Sequence, residues 1–168
     1  MTNELQLSVP DGVPFIDYSR EIDFPVADVF RAHADPDLVS QWLGPRGMKM
    51  EMDHYDFTTG GTYKYTPTGP EGIPYDSTGI FHTVRENEFA IQTFEFSGYP
   101  DVVSLEFNTF EDLGDGRTRI TVHSVYPTQE ARDGMAASGM EEGMTDSYSR
   151  LEELLASRAD VKTPQEAS

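Results

Sequence analysis

Six alternating segments on short turns, followed by one amphipathic helix, leave this chain few folds to choose from. From Met48 onward apolar and polar residues alternate through MKMEMDHYDF, TYKYTP, YDSTGIFHTVREN, EFAIQTFEF, VVSLEFNTFED and RTRITVHSVYP. A period of two is the signature of a strand with one face buried. The connections are short: TTGG, the loop TGPEGIP, Glu86-Asn87, the stretch from Ser97 to Asp101, and LGDGR. Asp115-Gly116 is a strong hairpin signal. Strands on short turns pair antiparallel, as a meander. The period then changes. Met140, Met144, Tyr148, Leu151 and Leu155 recur at helical spacing within a segment from about Gly139 to Ser157. A single long helix must bury its apolar stripe on the concave face of a curved sheet, and a sheet bent around one helix leaves space between the two.

The segment before the meander fits the same plan. FIDYSREI alternates and predicts a strand. Pro25 suits the first turn of a helix carrying Val26, Val29, Phe30 and His33. Asp35 before Pro36 marks a boundary. Asp35 also predicts the cap of a second short helix that runs to Leu43 and stops at Gly44-Pro45. The fold class read from the sequence is therefore α+β. A curved antiparallel sheet of about seven strands wraps around a C-terminal α-helix, with two short helices after the first strand. Residues 1–14 read as an N-terminal arm, 15–158 as a single ligand-binding domain, and 159–168 as a flexible tail.

Charge narrows the partners. Twelve Lys and Arg against 30 Asp and Glu give a formal net charge of −18. Such a chain repels phosphate backbones, so nucleic acid is not an expected partner. It likewise disfavours anionic membrane surfaces, and no segment is apolar for the length a membrane span requires. No cysteine is present, which removes disulfides and thiolate chemistry. No basic-then-apolar leader opens the sequence, and a cytoplasmic location is the default expectation. A homodimer stays open beside a monomer.

The order of these segments resembles a known family. REIDFPVADVFRAHADPDLVSQWLGP, DFTTGGTYKY, GIFHTVRENEFAIQTFEF, GDGRTRITVHSVYP and GMEEGMTDSYSRLEELLA together resemble the activator of Hsp90 ATPase homologue-like branch of the START/Bet v 1-like (SRPBCC) superfamily. The resemblance covers roughly residues 15–156 and implies the helix-grip fold. The superfamily includes lipid carriers, polyketide cyclases and hormone receptors, so the resemblance implies a cavity more firmly than a reaction. The family often carries Arg-Pro before the Gly-Gly pair, where this chain has Thr58-Thr59. The eukaryotic chaperone activators also carry a further N-terminal domain, for which the 14 residues before the first strand are too few.

Candidate ligand-binding residues follow from alternation and from the helix stripe. They are Trp42, Tyr63, Tyr65, Phe81, His82, Phe94, Phe96, Phe107, His123, Met140, Met144 and Tyr148. Large rings suit a cavity lining, and tyrosine hydroxyls suit its polar handles. The lone Trp, Trp42, is expected where the short helices meet the grip, as one lip of the mouth. The loops at 66–76 and 97–101 are expected to control access. His82 and His123 could act as general bases inside the cavity. Gly134, Gly139 and Gly143 either break the approach to the long helix or let a ligand approach its backbone. No cofactor is expected. His54 and Asp56 share a strand face, but two ligands do not make a metal site. The leading expectation is binding of a small hydrophobic or aromatic molecule. An enzyme of the polyketide cyclase, aromatase or hydrolase kind is the alternative, and a chaperone ATPase-activator-like interaction module is the second.

Overall fold

Every alternating segment becomes a strand of one antiparallel sheet. The computed structural model describes residues 3–44, 46–68 and 75–167, with side chains as far as residue 159. The strands are β1 (Gln6–Ser8), β2 (Phe15–Ile22), β3 (Lys49–Tyr55), β4 (Thr62–Thr68), β5 (Ser77–Arg85), β6 (Phe89–Phe96), β7 (Val103–Gly114) and β8 (Arg117–Val125). Their order is β1-β2-β8-β7-β6-β5-β4-β3. The eighth strand, one more than alternation predicts, is β1, where Gln6, Leu7 and Ser8 of the arm pair with Ser19, Tyr18 and Asp17. Three residues are too few to show a period.

Long pairing sets the register. Phe15 lies opposite Val125 and Ile22 opposite Thr118, so β2 closes onto the last strand of the meander. Asp115 and Gly116 both take positive φ, 55° and 73°, as a two-residue primed turn between β7 and β8 requires. Register shifts between Met52 and His54, between Phe81 and Thr83, and between Asp112 and Gly114 mark irregular pairing that increases local twist.

The helices are α1 (Val26–Ala34), α2 (Pro36–Trp42), α3 (Gln129–Ala136) and α4 (Met140–Ala167). The Asp35-Pro36 break explains much of how α1 and α2 pack. Pro36 has no N–H, so the carbonyl of Ala32 loses the partner a continuous helix would supply. The N–H of Asp37 is taken by the Asp35 carboxylate at 2.9 Å, which caps α2 and frees the carbonyl of His33. Two aromatic residues satisfy these carbonyls. Trp42 Nε1 donates to Ala32 O at 2.9 Å, and Tyr55 Oη donates to His33 O at 2.7 Å. Thr128 caps α3 by accepting from Ala131 N at 3.0 Å.

Helix α4 is tied to α2 by polar contacts. Ser147 Oγ accepts from Gly44 N at 2.9 Å, and Arg150 donates to Gln41 O at 2.8 Å and to Gly44 O at 3.0 Å. The buried Arg20 of β2 pairs with Glu152 of α4 at 2.8 Å. Arg132 of α3, also buried, holds the arm by donating to Pro10 O at 2.6 Å and Phe15 O at 3.2 Å. The main core gathers Ile16, Tyr18 and Ile22 of β2, Ile120 and Val122 of β8, and Phe110 of β7. Val29 and Phe30 of α1, Trp42 of α2, and Tyr148, Leu151 and Leu155 of α4 close over them. Among the described residues no helix is long and apolar enough to cross a membrane.

Candidate functional site

The concave face of the sheet is packed at both sides, with a strip of partly exposed residues between them. On β2 and β8 the inward residues Ile16, Tyr18, Ile22, Ile120 and Val122 are buried under α1 and α4. Toward the opposite edge, rings pack on one another. Phe81 lies 4.8 Å from Phe57, 5.0 Å from Tyr63 and 5.5 Å from Tyr55 between ring centroids, and Phe57 reaches Phe30 of α1 at 5.4 Å. Between these zones, Tyr65, Gln92, Phe94, Phe96, Glu106 and Asn108 are only half-buried. Register places them together. Glu106 sits opposite Gln92 on β6 and opposite Ser124 on β8, Asn108 sits opposite Ala90, and Phe94 opposite Ser104. Tyr65 and Phe96 both lie opposite Ser77.

A polar network lies among these rings. Asn108 Nδ2 donates to Gln92 Oε1 at 3.2 Å, and Gln92 Nε2 to Tyr63 Oη at 3.4 Å. Tyr63 Oη in turn donates to Thr93 O at 2.6 Å. Glu106 receives one long hydrogen bond, from Ser124 Oγ at 3.4 Å, and makes no ion pair among the described residues. Burial raises its carboxyl from the ordinary 4.5 to about 7, with Ser124 opposing. Five tyrosines, Tyr18, Tyr63, Tyr65, Tyr126 and Tyr148, feel its charge. Burial and that charge both hold their hydroxyls above the usual phenol range, so they remain protonated donors. A carboxyl without a cation, poised near neutrality among rings, is the kind of group that marks a functional site.

The shift has a consequence for stability. Native Glu106 holds its proton to higher pH than the unfolded chain does, so its contribution to stability falls as pH rises from about 4.5 to about 7. Glu106→Gln removes that dependence. Its melting temperature is expected to exceed that of the parent protein above pH 7, and the gap to close below about pH 4.5. His33 titrates oppositely. It donates Nδ1–H to Val29 O at 2.8 Å, and burial lowers its pKa to about 4. Taking the difference between variant and parent at each pH cancels that contribution. A gap independent of pH would show that Glu106 titrates normally.

The structure sorts the sequence candidates by face. Tyr63, Tyr65, Phe81, Phe94 and Phe96 are on the concave face. Tyr148 is buried in the core of α4, with Met140 and Met144 partly buried against that core. Trp42 is 3% exposed, stacked on Tyr148 at 6.1 Å and edge-on to His33 at 4.8 Å. It is a core residue and not a lip. His82, Phe107 and His123 are corrected outright, because all three point to the convex face. Phe107 is 36% exposed and opposes His123. His123 contacts Asp17 at 2.5 Å, and exposed His82 contacts Thr83 Oγ1 at 2.7 Å. Neither histidine can act as a base inside the concave face.

Gly139 takes φ of 86° just before α4 and breaks the chain there, while a Cβ at Gly134 or Gly143 would meet nothing within 4 Å. No other part of the chain packs against Gly134 or Gly143 closely enough to require glycine there. Residues 69–74 of the expected access loop lie outside the described residues. Two polar surface recesses beside Arg20, lined by residues such as Glu4, Gln6 and Arg119, or Leu5, Glu141 and Ser149, include none of the open strip.

Glu106, Gln92 and Asn108 escape the sequence reading because β7 alternates ambiguously: Leu105 and Phe107 are the more apolar set, yet they face outward. The neighbouring strand held the signal. Arg117 and Arg119 share a face with His123, and Thr118, Ile120 and Val122 share the other, which fixes the inward face of β8 and, by pairing, that of β7.

Comparison with known proteins agrees with this architecture. A Rhodobacter sphaeroides protein of known crystal structure is 26% identical, with a TM-score of 0.83 over 92% of this chain and 99% of its own. An Arthrobacter aurescens protein solved by NMR is 25% identical, with a TM-score of 0.81 over 90% of this chain and 91% of its own. DynU16, described as a putative protein in the dynemicin biosynthetic locus, shares the fold at 21% identity and a TM-score of 0.66, over 88% of this chain and 48% of its own. No curated protein sequence matches. The sequence profile described as activator of Hsp90 ATPase homolog 1-like protein matches residues 23–156. With the helix-grip architecture in place and most of its length matched, the chain belongs to the activator of Hsp90 ATPase homolog 1-like family.

Proposed function

We propose that the protein binds a small hydrophobic or aromatic molecule between α4 and the open strip of the concave face. The observation that carries this reading is the partial exposure of Tyr65, Phe94 and Phe96 between two packed zones. Apolar area on these rings, once covered, contributes about 25 cal/mol per Å². The amides of Gln92 and Asn108 and the carboxyl of Glu106 orient the ligand. A cyclase-like reaction in the same strip is the second reading, favoured by Glu106, whose carboxyl near neutrality can both donate and accept a proton. The family name by itself supports no activation of a chaperone by this chain.

The test uses the neutral dye Nile red. Its fluorescence should rise on binding the parent protein. Gln92→Trp, which fills the strip, should reduce that binding by about tenfold or more, the loss of roughly 1.4 kcal/mol. Phe107→Ser on the convex face should leave it unchanged, with circular dichroism showing that both variants fold. The reverse pattern would move the site to the outer face and end the proposal.

A further inference from the structure

We propose that the molecule held on this strip is a lipophilic cation, an amine or quaternary ammonium group carried on an apolar body. The inference rests on the reading of the concave face as a ligand site and concerns what that site selects. Glu106 projects from β7 into the strip with Gln92 on one side and Ser124 on the other. No guanidinium or ammonium among the described residues pairs with it. Arg20, on the packed inner face nearby, is engaged by Glu152 at 2.8 Å. Lys64 of β4 pairs with Asp76 at 3.4 Å, and Arg117 and Arg119 of β8 pair with Glu21, Asp23 and Glu111 on the convex side. The carboxyl is thus left for a charge that the described residues do not supply.

The walls suit the same guest. Phe94 lies diagonally across the β6–β7 pair from Glu106, and Tyr65 and Phe96 flank Ser77. A ring that presents its face to an organic cation attracts it through its quadrupole, and a nearby carboxylate adds its charge. A carboxylate-bearing ligand, such as a fatty acid, would meet Glu106 with no cation to compensate. The groups facing Glu106 from the surrounding elements are neutral: the hydroxyls of Tyr18, Tyr63, Tyr65, Tyr126 and Tyr148, Ser124 and Gln92.

Three probes that differ only in their head group separate these possibilities: 4-phenylbutylammonium, 4-phenylbutanol and 4-phenylbutyrate. Calorimetric titration of the full chain at pH 8 should find the ammonium bound about tenfold tighter than the alcohol, with the carboxylate weakest. The ammonium should weaken on going to pH 5.5 as Glu106 takes up its proton, while the alcohol does not change. In Glu106→Gln the ammonium should fall to the affinity of the alcohol, and the alcohol should bind as before. Equal affinities in the parent protein overturn the cation inference and leave the ligand site standing. A preference for the ammonium that survives in Glu106→Gln assigns it to surface charge and also overturns the inference. Binding of none of the three overturns both this inference and the ligand-site reading.

Discussion

Replacing Trp42 with alanine is expected to destabilise the protein by about 3–5 kcal/mol, the range for emptying a large buried aromatic site. Two losses add. The first is packing, because the indole is 3% exposed and stacks on Tyr148 of α4 while meeting the ring of His33. The second is polar, because the carbonyl of Ala32 loses its 2.9 Å hydrogen bond from Nε1 and has no N–H of Pro36 to replace it. Trp42→Phe separates these. It keeps most of the ring contact and orphans the carbonyl, so it should cost about 1–3 kcal/mol. Chemical denaturation followed by circular dichroism measures both. A cost below about 1 kcal/mol for Trp42→Ala would mean that the α1–α2 corner is held by other contacts.

Gly79→Ala is expected to be nearly as damaging, at about 3 kcal/mol or more, for a reason of space. A Cβ at Gly79 would stand 2.1 Å from Thr93 O and 2.4 Å from Tyr63 Oη. Neither obstacle is free to withdraw. Thr93 O belongs to the backbone of β6, and Tyr63 is 2% exposed and bonded to that same oxygen at 2.6 Å. Glycine at this position lets the Tyr63 ring lie flat across β5. The variant must therefore expel the ring or part the β5–β6 pair. A melting temperature within a degree of the parent would show that the ring relocates freely, and would undermine the packed zone that bounds the open strip.

The architecture was readable in the sequence because its signals are periodic. The six strands after Met48 and the stripe from Met140 to Leu155 depend on spacing alone, and spacing survives any choice of which face turns inward. The Asp35 cap was also legible, because its chemistry is local. The site was less so. Assigning a face requires knowing which strands neighbour which, and β7 carries apolar residues on its convex side at Leu105 and Phe107, 38% and 36% exposed. Trp42 beside Gly44-Pro45 resembles a rim residue in the sequence. Only the orphaned Ala32 carbonyl, created ten residues earlier by Pro36, draws it into the core.

The strand order has one further consequence, for how this protein stays apart from its own copies. A sheet that does not close has two edges, here β1 and β3. Unpaired backbone at an edge is a template for another chain to add to, and aggregation starts there. β1 offers three residues, too short a rail for a stable intruder. β3 offers seven, but Lys49, Glu51, Asp53 and His54 are exposed along it. Any copy adding there would bring its own dense negative charge against Glu51 and Asp53, so the acidity of the chain doubles as a guard against fibre growth at low salt, and the guard should weaken as salt screens it.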